Sequence, residues 1–355
     1  MKSVITGGAG FIGGHLAEYL LDAGDDVVVL DDFSTGTPAN VSAVANDPRF
    51  RLVEGSVLDR PLVMRLIDGA DRVFHLAAAV GVKVIVEEPL KSLRTNIHGT
   101  ESVLDAAVAT GATLLLVSTG EVYGKNTTPG LREDADRILG SAGKSRWTYA
   151  AAKSIDEAFG LAYRSECGLD VVIVRPFNTV GPRQSGRYGM VVPNLVGQAL
   201  RGDPLTVFGD GRQSRCFAYV GDVVPGMVKL AETPASYGRA VNLGSTDEIS
   251  ILDLAHRVIA VLGSTSEIML VSYQRAYADG YEDMRRRVPD IGLARELIGF
   301  APSTTLDEII RAVAAAPGSG ANEAMILAGL RHPGHGPFEA AHRRPADDRV
   351  PVVVA

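Results

Sequence analysis

The sequence predicts an α/β protein: a doubly wound parallel sheet with a smaller mixed lobe after it. Six runs rich in Val, Ile and Leu, "KSVITG", "DVVVLDD", "RLVEGS", "RVFHLAA", "TLLLVST" and "DVVIVRP", read as strands buried on both faces. Each is separated from the next by enough chain for a crossover helix. A Gly-rich turn, "GGAGFIGG", follows the first run and opens a helical pattern.

Taken in order, these elements place a nucleotide. Gly7, Gly10 and Gly13 let the backbone turn tightly and bring a dinucleotide pyrophosphate onto a helix N-terminus. Asp31 closes the second strand eighteen residues after Gly13, where a carboxylate accepts ribose hydroxyls. The domain is thus Rossmann-like. Asp31 repels a 2′-phosphate and the following "DFSTG" offers no Arg to hold one, so NAD is expected rather than NADP. A plain turn role is the competing account of Asp31.

The fifth strand runs into "VSTGEVYG", which carries the Thr119 hydroxyl and the Glu121 carboxylate at its mouth. Downstream, in "RWTYAAAKSIDEAFGLAYR", Tyr149 and Lys153 are four apart and share one helical face. Such pairs arise by chance on solvated helices, but here a dinucleotide fold and a strand-end hydroxyl precede this one. Positive charge on Lys153 and on an oxidised nicotinamide is expected to lower the phenol toward neutrality, so that it serves as a base.

After the sixth strand the chain leaves the sheet through "PRQSGRYGM" and the helix "VVPNLVGQALRG". It returns with "CFAYVGDVVPGMVKLAE" and "AVNLG". The expected division is a nucleotide-binding domain over 1–178 with 216–245 returning to it, and a substrate lobe over 179–215 and 246–316. The lobe closes with a lid containing "ILDLAHRVIAVLG" and "LDEIIRAVAA". The substrate cleft falls between the lobes, with Arg183, Arg187, Arg215 and Arg287 as candidate lining residues. Residues 317–355, rich in Gly, Pro, Ala and charge, read as a tail in which "EAMILAGL" is a candidate docking helix. Its His332, His335 and His342 lack carboxylate or cysteine geometry, so no metal site is expected.

Composition excludes other classes. A 355-residue chain with 46% hydrophobic residues can bury a large core, and a net charge of −7 with both signs dispersed argues against nucleic-acid and anionic-membrane partners. Cys167 and Cys216 are too far apart in sequence to suggest a disulfide framework or metal pattern, and are expected to be buried thiols. No leader and no membrane-spanning run is read, so a cytoplasmic protein is expected.

From Met1 to about Val313, "TGGAGFIGGHL", "HLAA", "NIHGT", "YAAAK", "RPFNTVGPRQ", "PLTVFGDGRQSRCFAYVGDVV" and "RRRVPDIGLARELIGF" resemble the extended short-chain dehydrogenase/reductases that modify nucleotide sugars. The resemblance implies that Tyr149 takes a sugar hydroxyl proton while hydride passes to NAD. Thr119 supports the transfer, and Lys153 also holds the nicotinamide ribose. It places around the cofactor Gly7, Gly10, Phe11, Ile12, Gly13, Asp31, Asp32, Ser34, Thr35, Gly36, Ser56, Val57, Leu76, Ala77, Ala78, Asn96, Tyr149, Lys153 and Pro176. Around the substrate it places Thr119, Glu121, Asn178, Arg187, Val192, Arg215 and Arg287. One departure is Ser56, which follows Gly55 where many relatives carry Asp for the adenine. The resemblance also implies a homodimer joined through "LKSLRTNIHGTESVLDAAVA" and "YAAAKSIDEAFGLAYR" as a four-helix bundle.

Within this family the residues after Thr119 bear on the fate of the sugar once C4 is oxidised. Dehydratases that resemble this chain carry Asp then Glu; UDP-glucuronate decarboxylases carry Ser then Glu, with the Arg matching Arg287. Gly120 supplies neither an acid nor a hydroxyl. A UDP-sugar epimerase acting at C4 with bound NAD is therefore the first expectation, with Glu121 bonding a sugar hydroxyl or serving as a base at C5. UDP-glucuronate decarboxylation is the alternative and dehydration a third. A sensor that binds NAD without catalysis is disfavoured by the intact Tyr149 and Lys153.

Overall fold

The computed structural model describes residues 1–79, 88–144, 147–186, 189–272 and 284–316. The first half runs β1 (Lys2–Thr6), α1 (Phe11–Asp22), β2 (Asp26–Asp31), β3 (Phe50–Glu54), α2 (Arg60–Ile67), β4 (Arg72–His75), α3 (Pro89–Thr110), β5 (Thr113–Val117), α4 (Thr148–Cys167) and β6 (Val171–Pro176). It is followed by β7 (Thr179–Val180), α5 (Val191–Arg201), β8 (Leu205–Phe208), β9 (Ser214–Cys216), β10 (Ala218–Tyr219), α6 (Val220–Ala231) and β11 (Ala240–Leu243). The rest is β12 (Glu248–Ser250), α7 (Ile251–Leu262), β13 (Ile268–Val271), β14 (Arg286–Arg287), α8 (Gly292–Ile298) and α9 (Leu306–Ala314).

All six predicted strands enter one seven-stranded sheet in the order β3-β2-β1-β4-β5-β6-β11, and every pairing is parallel. Every residue of β4 is buried, and so is every residue of β6 up to Pro176, which explains the apolar stretches Val73–Phe74 and Val171–Val174 within them. The chain winds outward through β2 and β3, then crosses back to β4 beside β1. That reversal opens a crevice above Thr6 and His75, the strand ends where such sheets bind ligands.

Two apolar layers cover the sheet, one including α1 and α6, the other α2 and α3. A separate core forms where α5, β8, α7 and α9 meet, built on Leu195, Val207, Leu254, Val258 and Ile310. Its helices are capped from the sequence: Ser250 accepts the Asp253 N–H at the start of α7, and Thr305 and Glu308 form a capping box on α9.

The expected lid needs correction at its centre. Ala294, Ile298 and Phe300 pack in the sheet-side core against α6, so α8 belongs to the nucleotide-binding body. Burying Ile298 and Phe300 stabilises by roughly 1.5–3 kcal/mol each, which anchors a helix too short to persist alone. The cysteines differ from each other: Cys216 is buried in β9, but Cys167 is exposed at the end of α4, where the helix meets solvent. The proposed tail lies outside the described residues. Among the described residues no helix is long and apolar enough to cross a membrane.

Candidate active site

A cavity of about 750 Å³ lies over the carboxyl ends of the strands, and most of the predicted cofactor residues line it. Gly7 adopts φ 74°, and a Cβ there would stand 2.6 Å from the Ala77 nitrogen, so only glycine allows the Gly-rich turn to lie against the loop after β4. Gly10 begins α1 without any side-chain cap, and the first turn of α1 holds no acidic residue. That end of the helix therefore suits the diphosphate of a dinucleotide. Phe11, Ile12, Gly13, Asp32, Ser34, Thr35, Gly36, Val57, Leu76, Ala77, Ala78 and Pro176 complete this wall.

Asp31 shows the turn role weighed for it and leaves room for the other. Its carboxylate oxygens accept the Ala9 and Phe33 N–H groups, each at 2.9 Å, and so tie the Gly-rich turn to the loop after β2. Each oxygen retains a lone pair for a ribose hydroxyl. Burial pushes this carboxyl above its ordinary range, against the two N–H groups that favour its charge.

Two of the expected cofactor residues lie off the cavity wall. Ser56 does not line the cavity, although Gly55 and Val57 beside it do; its hydroxyl accepts the Leu58 N–H at 3.2 Å and shapes the turn after β3. Asn96 is fully buried outside the cavity wall. Its carbonyl accepts the Ala79 N–H at 2.9 Å, so it steadies the loop after β4 from behind.

The other end of the cavity gathers Thr119, Glu121, Tyr149, Lys153, Asn178 and Arg287. Thr119 accepts the Glu121 N–H at 3.2 Å, capping a 3₁₀ turn over Gly120–Tyr123 that aims Glu121 across the strand ends. Arg287, on β14, lies 3.5 Å from Glu121 Oε1 and 3.5 Å from Asn178 Oδ1. Asn178 holds φ at 37°, and its amide donates to the Cys216 carbonyl at 2.8 Å. Tyr149 and Lys153 share the first turns of α4, both buried.

The phenol departs from expectation. Burial, then the charges of Glu121 and Asp156, push Tyr149 above its ordinary value. The Lys153 ammonium lies 3.1 Å from the Asp156 carboxylate, which offsets the charge expected to act on the phenol. The side chains around this phenol therefore do not themselves lower it, contrary to the expectation.

Two expected substrate residues lie off the cavity wall, and Arg183 lines it as expected with its charge already engaged. Val192 is 1% exposed within the second core, because α5 turns that face toward β8 and α7. Arg215 is fully buried in β9, donates to the Ser214 carbonyl at 2.8 Å and does not line the cavity. Arg183 reaches the cavity, but its guanidinium donates to both Glu18 oxygens, at 2.5 and 2.7 Å, and to the Asn40 carbonyl, at 2.7 Å. It therefore pins the loop after β7 to α1. Arg187 lies outside the described residues.

Sequence reading missed a buried network beneath the site. Glu157 receives the Ser118 hydroxyl at 2.5 Å and two Arg175 bonds at 2.8 and 2.7 Å. Arg175 also donates to the Tyr123 hydroxyl at 2.7 Å, and Tyr123 donates to Asn242 at 2.8 Å. Asn242 in turn holds the Leu131 carbonyl and that of Asp290, which is close in sequence to Arg287. The signal was available as two adjacent acids, Asp156 and Glu157, one helical turn beyond Lys153. No group that could hold a metal ion occurs among the described residues.

Residues 3–244 match the NAD dependent epimerase/dehydratase family. The chain is 39% identical over 309 residues to the UDP-N-acetyl-alpha-D-glucosaminuronate decarboxylase of Bacillus cytotoxicus, covering 86% of this chain and 94% of that one. It is 38% identical over 309 residues to UDP-glucuronic acid decarboxylase 1 of Xenopus tropicalis, covering 86% and 70%. Among solved structures it resembles the UDP-glucuronic acid 4-epimerase of Bacillus cereus in complex with UDP-glucuronic acid and NAD, with TM-score 0.79, 29% identity and coverage of 88% and 98%. The dTDP-glucose 4,6-dehydratase of Streptomyces venezuelae with NAD bound aligns at TM-score 0.79, 30% identity and coverage of 88% and 96%.

Proposed function

Because the chain belongs to the NAD dependent epimerase/dehydratase family and its cofactor is NAD, we propose that it removes the carboxyl group of a UDP-hexuronate after transient oxidation at C4. The sequence favoured simple C4 epimerisation. Similarity to two decarboxylases across 86% of the chain favours the alternative instead. The observation that carries the reading is Arg287, a guanidinium with 5% side-chain exposure that lines the cavity 3.5 Å from Glu121. A fixed cation at that point suits a substrate carboxylate.

Gly7, Gly10, Gly13 and Asp31 would hold the cofactor, with Lys153 at its nicotinamide ribose. When bound, NAD supplies the redox change that makes the C4 carbinol a ketone and later restores it. Tyr149 accepts the C4 hydroxyl proton, while the Thr119 hydroxyl bonds the same oxygen. A ketone at C4 makes the C6 carboxylate a β-keto acid, so the C5–C6 bond breaks, carbon dioxide leaves and the electron pair passes to the enolate oxygen. Tyr149 and Thr119 hold that oxygen. Glu121 shares Arg287 with the departing carboxylate. Arg287 is therefore not spent wholly on stabilising a charge that must disappear. A solvent-derived proton adds at C5.

Gly120 favours a second reading, C4 epimerisation, which needs only Thr119, Tyr149 and Lys153. Incubation with UDP-glucuronate and with UDP-N-acetylglucosaminuronate separates the two: the proposal predicts loss of carbon dioxide from one of them, and an isomer of unchanged mass would favour epimerisation.

A homodimer through α3 and α4 is part of the same proposal. The two helices pack side by side and expose Leu90, Ile155 and Leu161, at 59%, 43% and 39%. Unpartnered apolar side chains on adjacent helices support a shared bundle. Light scattering at micromolar concentration checks it; a monomer would count against it.

A further inference from the structure

We propose that Asp156 is a positioning residue: the buried counter-ion that holds the Lys153 ammonium at the floor of the cavity and thereby governs proton exchange at Tyr149. The inference rests on the roles given above to Tyr149 and Lys153. Asp156 and Lys153 are both enclosed, with side-chain exposures of 0% and 2%, and their charged atoms lie 3.1 Å apart. Removing either partner of such a buried pair leaves an uncompensated charge, so each depends on the other.

A chain of buried polar groups leads up to the pair. The Ala77 N–H reaches Thr6 Oγ1 at 3.4 Å, Thr6 Oγ1 lies 2.6 Å from His75 Nδ1, and His75 Nε2 lies 3.0 Å from Thr100 Oγ1. Thr100 lies beside Asp156 and favours its charged form. Asp156 Oδ1 makes no hydrogen bond among the described residues, so the Lys153 ammonium at Oδ2 is the group that compensates this carboxylate. Thr6, His75, Thr100 and Asp156 are each 0% exposed and come from four elements, so the carboxylate cannot wander.

Charged groups face this centre from several sides. On α4 they are Lys153, Asp156 and Glu157; from the turn after β5 comes Glu121, paired with Arg287 of β14. Arg175 of β6 and Arg137 are taken up by Glu157, and His75 of β4 stays neutral. Asp156 is therefore the acid set directly on the lysine.

The test titrates the Tyr149 phenol of the NAD-bound protein by its phenolate difference spectrum, with Tyr149→Phe in each background as the blank. Asp156→Asn leaves the ammonium to act on the phenol alone, and ionisation is expected at a pH lower by roughly one unit. Thr100→Val, which removes the hydroxyl beside Asp156, should shift it in the same direction by less, and Thr100→Ser should match wild type. The Thr100 pair decides the matter if Asp156→Asn fails to fold. An unchanged or raised ionisation pH in Asp156→Asn and Thr100→Val would overturn the proposal. The titration uses no substrate, so it is read independently of whether carbon dioxide is released; where carbon dioxide is released, the pH profile should move with the phenol.

Discussion

A Cβ placed on Gly120 would stand 2.9 Å from Cε1 of Phe177, closer than carbon atoms tolerate. Phe177 is 0% exposed and packs with Val122, Tyr123 and Leu131, so its ring occupies the space a side chain at 120 would need. Serine at this position therefore does not simply return a hydroxyl to the cavity. Gly120→Ser is expected to lower stability by about 1–3 kcal/mol, and adding Phe177→Leu should recover part of the loss through the room it makes. Urea unfolding measures both; a Gly120→Ser protein as stable as wild type would mean that the ring yields freely.

Tyr149→Phe removes one phenolic oxygen and leaves the Gly-rich turn and Asp31 untouched. Turnover should vanish while NAD is still retained. Absorbance of the purified protein reports the cofactor, and full activity in this variant would sink the assigned proton transfer.

Arg287 and Glu121 should separate in their effects. Arg287→Ala removes the cation proposed to receive the carboxylate, at a loss of about 1.5–3 kcal/mol in hexuronate binding, with NAD binding unchanged. Glu121→Gln should cost about 1–3 kcal/mol if the acid only orients substrate and Arg287, whereas loss of a general base lowers rates by roughly 100- to 10,000-fold. Steady-state kinetics on both variants discriminates; we expect the smaller effect for Glu121→Gln.

His75 gives the fold a pH dependence of defined sign. Burial, then the Lys153 charge, hold its folded pKa down to about 3, against 6.5 for the unperturbed group. Between those values the unfolded chain binds a proton that the folded chain refuses, so stability falls as pH drops through the window, by up to about 1.4 kcal/mol per pH unit. His75→Gln should lack this contribution. Urea midpoints across the same range should therefore converge toward acid pH, and parallel curves would show that His75 does not resist protonation.

What the sequence could show and what it could not divide along physical lines. β1, β2 and β4 to β6 are legible because strands buried on both faces must be continuously apolar, and Gly7 because only glycine fits against Ala77. Tyr149 and Lys153 are legible because helical spacing fixes a shared face. Asn96 and Ser56 mislead, since a motif marks a position without showing whether its side chain turns toward the cavity or back to the main chain. Spacing marks Asp156 only as an acid three residues after Lys153; its neighbours His75 and Thr100 are distant in sequence and reach it from a strand and another helix. The placement of α8 with the sheet likewise depends on contacts that Ile298 and Phe300 find across the fold.

The central claim is decarboxylation through a C4 ketone, and heavy water tests it most directly. Loss of carbon dioxide leaves C5 as a carbanion equivalent that takes its hydrogen from solvent. Protein incubated with UDP-glucuronate or UDP-N-acetylglucosaminuronate in heavy water should release carbon dioxide and give a UDP-pentose-type product with one deuterium, at C5, by mass and NMR. An isomer of unchanged carbon count with C5 unlabelled would contradict the account and return the protein to the C4 epimerases.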